Sequence, residues 1–96
     1  VREKEYVAHI VKYFSKIGVA EVEVESGELA LGDRILIIGP TTGVVDMTLS
    51  EMRYELEPVS RATKGQRISI PVPRKVRAND RLYLFRERTE VQHFKG

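Results

Sequence analysis

Short runs of alternating apolar and polar residues follow one another along this chain, separated by glycine, proline and asparagine. The clearest run covers residues 19–25, where Ala20, Val22 and Val24 fall on one face and three glutamates fall on the other. A period of two is the spacing of a β-strand with one buried face, so we predict a strand here. Its like-charged face predicts lysine or arginine on neighbouring strands; the alternative is a solvated face without partners.

Residues 24–38 predict the hairpin around which the rest of the chain is arranged. Gly27 lies where the chain must reverse, because glycine adopts a positive φ without a Cβ clash. Gly32 followed by Asp33 predicts a second turn, which leads into a strand at residues 35–38. Leu29 and Leu31 lie between the two turns and are expected to cover one end of the fold.

The other runs predict further strands and turns. Strands are predicted over residues 5–14, 45–49, 67–72 and 81–85, and turns over residues 39–43 and 61–66. Apolar residues at both parities of the first run indicate a strand covered on both faces for part of its length. Near Ser50 and Glu51 the apolar residues change from odd-numbered to even-numbered positions. This one-residue shift predicts a β-bulge; a short helix over residues 50–56 is the alternative.

One local pattern occurs three times: Gly32-Asp33-Arg34-Ile35, Gly65-Gln66-Arg67-Ile68 and Asn79-Asp80-Arg81-Leu82. In each, a residue that tolerates left-handed backbone precedes a polar residue, an arginine and the apolar start of a strand. Because asparagine is enriched among the non-glycine residues with positive φ, we predict a positive φ at Asn79.

Short strands with turn signals between them, and the lack of a convincing long amphipathic helix, predict an all-β protein. The expected architecture is a small closed antiparallel β-barrel of six or seven strands. Twelve residues are predicted to be mostly buried: Val22, Val24, Leu29, Leu31, Ile35, Ile37, Met47, Leu49, Ile68, Ile70, Leu82 and Leu84.

Length and composition predict one domain over the 96 residues, with a core at about residues 5–86. Residues 87–96 are expected to be a frayed tail or an added strand. The absence of cysteine excludes disulfides and thiolate metal sites. Because no apolar run of membrane-spanning length is present, a cytoplasmic location without a membrane partner is expected.

The turn motifs resemble those of a known barrel. The spacing Val24-x-x-Gly27-x-Leu29-x-x-Gly32-Asp33-x-Ile35, then Ala62-x-x-Gly65 and Asn79-Asp80-Arg81-Leu82-Tyr83, resembles the second domain of translational GTPases such as elongation factor Tu and initiation factor two. The resemblance covers about residues 5–86. Where that family usually has Gly-Asp, this chain has Asn79-Asp80.

Two further stretches, Tyr13-Phe14-x-x-Ile17-Gly18-Val19-Ala20 and Glu57-Pro58-Val59, are most similar to free-standing elongation-factor-like barrels and to barrels appended to the C-terminus of collagenase-like peptidases. The resemblance implies a translation-protein barrel of the elongation factor Tu domain 2 type. It also implies contacts with aminoacyl-tRNA, the ribosome or neighbouring domains, as that barrel makes in the GTPases.

Candidate chemistry is sparse. No G-x-x-x-x-G-K-[ST] loop is present, so neither a nucleotide cofactor nor GTPase activity is expected. His9 is expected to be a packed or edge histidine, and His93 falls in the tail. Thr41 and Thr42 are expected to satisfy local turn backbone. We therefore predict no catalytic residue, no metal, no cofactor and no enzymatic activity.

Charge provides the better functional signal. Residues 1–57 carry 6 Lys/Arg and 11 Asp/Glu, net −5, whereas residues 58–96 carry 10 and 3, net +7. Lysine and arginine in loops supply phosphate contacts, which predicts binding of RNA, tRNA or the ribosome. The candidate RNA-binding residues are Arg61, Lys64, Arg67, Arg74, Lys75, Arg77 and Arg81, with Tyr13, Tyr54, Tyr83 and Phe85 as candidate stacking faces.

The alternative to RNA binding is a protein–protein docking module for a peptidase-like or GTPase-like partner. A cluster of arginine and lysine at one mouth of the barrel would favour nucleic acid, whereas an exposed apolar patch or an open strand edge would favour protein.

Overall fold

A computed structural model describes residues 2–87, which form ten β-strands and no helix. The strands are β1 (Arg2–Phe14), β2 (Val19–Val24), β3 (Glu28–Ala30), β4 (Arg34–Gly39), β5 (Gly43–Thr48), β6 (Arg53–Tyr54), β7 (Glu57–Pro58), β8 (Arg61–Thr63), β9 (Arg67–Pro71) and β10 (Arg81–Glu87). Eight form one antiparallel sheet in the order β5-β4-β10-β1-β2-β9-β6-β7, and β3 pairs with β8 in a second sheet. The predicted all-β, antiparallel architecture is confirmed. Of the predicted tail at residues 87–96, Glu87 is the last residue of β10, and residues 88–96 lie outside the described residues.

The strand count and the closure differ from the prediction. Neither sheet closes on itself, because β5 and β7 stand at the two ends of the larger one. The additional strands β3, β6, β7 and β8 have only two or three residues each, which is too short for alternation to be visible in the sequence. One of them, β8, occupies residues that the sequence analysis assigned to a turn.

The segment after β5 contains neither the predicted bulge nor the alternative helix. The ladder ends at Thr48, and residues 49–52 leave it with Leu49 and Met52 buried. The chain then enters a tight hairpin of β6 and β7. The one-residue shift in the apolar pattern therefore marks the gap between β5 and β6. It arises because Leu49 and Met52, which lie in this gap, both point into the same core.

The long strand β1 lies in the middle of the larger sheet, paired with β10 on one side and β2 on the other. Its register shifts between Tyr6 and Ala8 against β10, and between Ile10 and Lys12 against β2. Val7 and Ala8 are both buried although they are adjacent. The bulge explains the loose alternation of this strand, because an extra residue turns two successive side chains to one face.

One contiguous core joins both sheets. Ten of the twelve residues predicted to be buried are buried, and Met47 is partly buried against the core. The prediction for Leu31 was wrong. Its side chain is 42% exposed because it occupies the turn between β3 and β4. The core also contains residues that the prediction omitted: Val7, Ala8, Ile10, Ala20, Val45, Met52, Ala62 and Val76.

The three similar sequence segments form the same four-residue turn, at residues 30–33, 63–66 and 77–80. In each, the N–H of the first residue donates to the side-chain oxygen of the fourth at 2.8–2.9 Å, and the fourth N–H donates back to the first carbonyl at 3.1 Å. The third residue has a positive φ: 93° at Gly32, 92° at Gly65 and 74° at Asn79. The prediction for Asn79 is confirmed, and each turn leads directly into a strand that begins with arginine.

The third of these turns ends in a buried carboxylate. Asp80 is only 4% exposed, and it accepts hydrogen bonds from the Thr42 hydroxyl and, at 2.9 Å, from the N–H of Arg77. Gly39 lies against the same carboxylate, since a Cβ at that position would come within 2.5 Å of Cγ of Asp80. Asp80 therefore ties the β4–β5 turn to the loop before β10, as a buried carboxylate must be hydrogen-bonded.

Gly39→Ala is expected to lower the free energy of unfolding by about 2 kcal/mol, because the added methyl group displaces the Asp80 carboxylate from its hydrogen bonds. Urea denaturation measures the change. The control is the same substitution in an Asp80→Ala background, where it is expected to cost much less because the obstructing side chain is gone. Additive effects of the two substitutions would contradict the role given to Asp80.

Candidate functional site

The seven candidate RNA-binding residues do not form one cluster. Two of them, Arg61 and Arg67, lie on β8 and β9, and each pairs with glutamate on the neighbouring strand. Arg61 is 3.1 Å from Glu28, and Arg67 is 3.4 Å from Glu23 and 3.8 Å from Glu21. The prediction that basic side chains lie beside the glutamate face of β2 is confirmed for Glu21 and Glu23, whereas Glu25 is contacted by Tyr6 and His9. Arg61 and Arg67 are therefore partly neutralised.

The other candidates lie apart from this pair. Lys64 is exposed in the turn between β8 and β9, and Arg81 is exposed on the outer face of β10. The guanidinium of Arg81 lies 5.9 Å from the ring centre of Tyr6. Only the remaining three residues, Arg74, Lys75 and Arg77, come together, in the loop that precedes β10.

These three cations surround a depression of about 320 Å³ that also contains Thr41 and Thr42 of the β4–β5 turn. We call it the basic depression. All three basic side chains are exposed, and the guanidinium of Arg74 donates to the carbonyl of Val44. The buried Asp80 lies beneath, holding the two walls together through Thr42 and the backbone of Arg77. A group of cations of this kind can bind a phosphate or carboxylate group.

A second set of cations lies over aromatic rings on the outer face of the large sheet. Tyr6 and Tyr83 are cross-strand partners in an edge-to-face arrangement, with ring centres 5.8 Å apart. Lys4 lies 4.9 Å from the ring centre of Tyr83, and Arg34 lies 4.6 Å from that of Phe85. Each of these cation–π contacts stabilises by about 0.5–1 kcal/mol at an exposed site.

Of the four aromatic residues proposed as stacking faces, Tyr83 and Phe85 are half-buried on this outer face. Tyr13 and Tyr54 pack against the core instead. Sequence reasoning did not single out Tyr6, which completes the aromatic face. Its position in the alternating pattern of β1 could have assigned it to the outer face, but the bulge at residues 6–8 interrupts that alternation.

Tyr6 and His9 of β1 both contact the carboxylate of Glu25. The Tyr6 hydroxyl donates at 2.7 Å and is the main cause of a pKa of Glu25 below its ordinary value; desolvation opposes this, and His9 adds to the lowering. Desolvation first, and then Glu25, raises the pKa of Tyr6 from 10.0 to about 12. A phenol with a raised pKa is a weaker acid, which is the opposite of what acid–base chemistry at neutral pH requires.

An apolar groove of about 470 Å³ lies on another side of the molecule, between the β1–β2 turn and the β6–β7 hairpin. Ile17 and Leu56 stand at its two margins, 70% and 88% exposed, and Val19 and Pro71 lie half-buried between them. Leu56 and its neighbour Glu55 have φ values of 70° and 52°. Exposed aliphatic side chains flanking a concave surface are typical of a contact with another protein.

Within residues 2–87, no group of three or more histidine, cysteine, aspartate or glutamate side chains could hold a metal ion. No helix in that part of the chain is long and apolar enough to cross a membrane. His93 lies outside the described residues.

The chain is similar to segments of longer peptidases. It is 61% identical over 89 residues to a collagenase of Porphyromonas gingivalis, a match that covers 93% of this chain and 25% of the collagenase. The chain thus spans about a quarter of the length of the curated relatives that it matches first. No protein-family profile matches the chain.

Solved structures share its fold. The C-terminal domain of a putative U32 peptidase of Geobacillus thermoleovorans superimposes with a TM-score of 0.77 at 18% identity, covering 81% of this chain and 96% of that one. A bacterial selenocysteine-specific elongation factor superimposes with a TM-score of 0.61 at 21% identity, covering 83% of this chain and 14% of the factor. The fold of this chain is therefore shared with a C-terminal domain of a putative peptidase and with part of an elongation factor.

Alkaline pH should weaken the fold through Tyr6. Because its pKa is raised in the folded state, the phenol stabilises fully below pH 10, and this contribution is lost as the pH rises from about 10 to about 12. Tyr6→Phe should remove this component. The difference in urea midpoint between the wild type and Tyr6→Phe should therefore shrink or reverse between about pH 9 and about pH 11.5.

The control for this measurement is Glu25→Gln, which removes the acceptor charge that helps to raise the pKa of Tyr6. It should shift the alkaline loss of stability to lower pH. An identical pH dependence in the wild type, Tyr6→Phe and Glu25→Gln would show that Tyr6 does not titrate in this way.

Proposed function

We propose that this chain is a non-catalytic β-domain that docks on a peptidase of the collagenase-like kind. The observation that carries the proposal is that almost the whole chain aligns with a quarter of a collagenase at 61% identity. A unit of this kind recurs as one part of a longer polypeptide, and such a part meets the rest through its surface. The exposed Ile17 and Leu56 supply apolar area for such a contact.

The fold of this domain is proposed to be a variant of the elongation factor Tu domain 2-like barrel. The support is the threefold turn with its positive-φ residue and side-chain cap, together with the elongation factor at a TM-score of 0.61. In this variant the short β3–β8 ribbon stands apart from the large sheet. A barrel of this type serves as a binding surface, and the proposed partner differs from that of the elongation factors.

Docking is tested in a chimera in which this chain replaces the segment of the P. gingivalis collagenase that aligns with it. Hydrogen–deuterium exchange of residues 2–87 is compared between the chimera and the isolated chain. At least one surface segment is expected to exchange more slowly in the chimera, because docking removes it from water. The collagenase activity of the chimera controls for correct folding of the remainder. Equal exchange in every segment of a folded chimera would contradict the proposal.

RNA binding is a second candidate function, favoured by one observation. Arg74, Lys75 and Arg77 point into one depression, and no acidic side chain within the described residues forms an ion pair with them. A phosphate group there would be met by up to three cations, which is how proteins obtain sequence-independent affinity for nucleic acid. On the outer face of the large sheet, Lys4 and Arg34 cover the rings of Tyr83 and Phe85, so stacking of a base there requires these two cations to move aside.

The RNA prediction is tested by fluorescence anisotropy with a structured RNA at several salt concentrations. Affinity is expected to be modest and to fall steeply with salt, with a slope of about −0.9 per phosphate contact in a duplex. The triple substitution Arg74→Ala, Lys75→Ala and Arg77→Ala should flatten the slope and change the free energy of unfolding by no more than about 0.5 kcal/mol.

The matched control for the RNA test replaces Arg61 and Arg67 by alanine. Both are already paired with glutamates, so their loss should change the salt slope much less. Absent binding, or an equal and salt-insensitive affinity in all three proteins, would leave protein docking as the function.

A further inference from the structure

The tip of the β6–β7 hairpin has a conformation that its sequence does not favour. Two-residue hairpin turns with positive φ at both central positions are built from asparagine, aspartate and glycine, because these residues adopt that backbone at low cost. Here the two positions hold Glu55 and Leu56. A leucine at positive φ is strained, and the strain persists only where the surrounding structure or a function requires it.

The fold itself gains little from this leucine. Leu56 is 88% exposed, whereas the buried hydrophobic residues of the core are at most 7% exposed. A glycine at the same position would close the hairpin with less strain. A large apolar side chain at an exposed, strained tip therefore points to a contact made outside the chain.

The surroundings of Leu56 indicate the chemistry of that contact. Leu56, Pro71 and Ile17 line the apolar groove, and Ile17 is 70% exposed. On either side of Leu56, the exposed carboxylates of Glu55 and Glu57 form no ion pair within the described residues. Among the described residues that line the groove, Arg53 is the one cation, and it is 3.3 Å from Glu51. Arg67, which lines a neighbouring depression with Glu55 and Leu56, is 3.4 Å from Glu23.

We infer that the β6–β7 hairpin and the apolar groove beside it are the surface through which the domain docks on the peptidase. The complementary surface is an apolar pocket that receives Leu56 and is bordered by lysine or arginine, which pair with Glu55 and Glu57. This inference rests on the proposed docking function and assigns it to one surface. An apolar side chain that fills a pocket contributes most of the affinity, and the flanking charges set orientation and rate of association.

The same chimera tests the inference at the resolution of single segments. Residues 53–58 are expected to exchange more slowly in the chimera than in the isolated chain. Leu56→Gly in the chimera should return their exchange to the rate of the isolated chain, while the melting temperature of the isolated chain stays the same or rises. A residue retained only for the fold would lower the melting temperature when removed, so the two readouts separate the roles.

Two further variants test the contribution of the carboxylates and the specificity of the effect of Leu56. Glu55→Gln with Glu57→Gln should partly restore fast exchange of residues 53–58, and the restoration should resemble that produced by added salt in the unaltered chimera. The matched control is Leu31→Ala, which truncates another exposed leucine that lies in the β3–β4 turn. It should leave the exchange of residues 53–58 unchanged.

The outcomes distinguish this inference from the docking function itself. Slower exchange confined to another surface, with residues 53–58 at the rate of the isolated chain, would overturn the inference and leave docking in place. Equal exchange everywhere would overturn both. A lower melting temperature for Leu56→Gly, or a loss of RNA affinity in the anisotropy titration caused by that change, would also overturn the assignment of this hairpin to the peptidase.

Discussion

The buried carboxylate of Asp80 is the interaction on which the arrangement of the loops depends. It completes the turn at residues 77–80, accepts the hydroxyl of Thr42 from the β4–β5 turn and lies against the bare backbone of Gly39. A buried carboxylate without these donors would be strongly destabilising, so the two loops that bring them are held in one relative position. The basic depression exists because the same contacts fix both of its walls.

Left-handed backbone is used in two different ways in this domain. In the turns at residues 30–33, 63–66 and 77–80, the positive φ occurs at Gly32, Gly65 and Asn79. These residue types adopt it at low energetic cost, and each turn leads into a strand. In the β6–β7 hairpin it occurs at Glu55 and Leu56, where the residue type makes it costly. The first use serves the fold. The second use has no equivalent benefit within the described chain, which is why we connect it with binding.

Folding brings part of the basic C-terminal half of the chain beside the acidic N-terminal half. Basic residues of the C-terminal half lie beside glutamates of the N-terminal half, as with Arg67 and the outer face of β2. Two local groups stand out among the described residues: three cations at the basic depression, and the carboxylates of Glu55 and Glu57, which form no ion pair within that part of the chain. A net charge computed over half of the chain is therefore a poor guide to partners, and the residual patches are a better one.

The sequence by itself determined the strands that alternate and the turns that require a particular residue. Residues 19–25 showed a one-sided strand, and the pattern shared by Gly32, Gly65 and Asn79 identified three turns correctly, because both signals depend only on neighbouring residues. Only the tertiary structure decided how the short strands pair, that the large sheet stays open, and that Leu31 faces solvent. It also decided which cations form ion pairs, since Arg67 pairs with Glu23 on the neighbouring strand while Arg74 and Lys75 pair with no carboxylate of residues 2–87. Such pairings join residues far apart in the chain, so no local pattern encodes them.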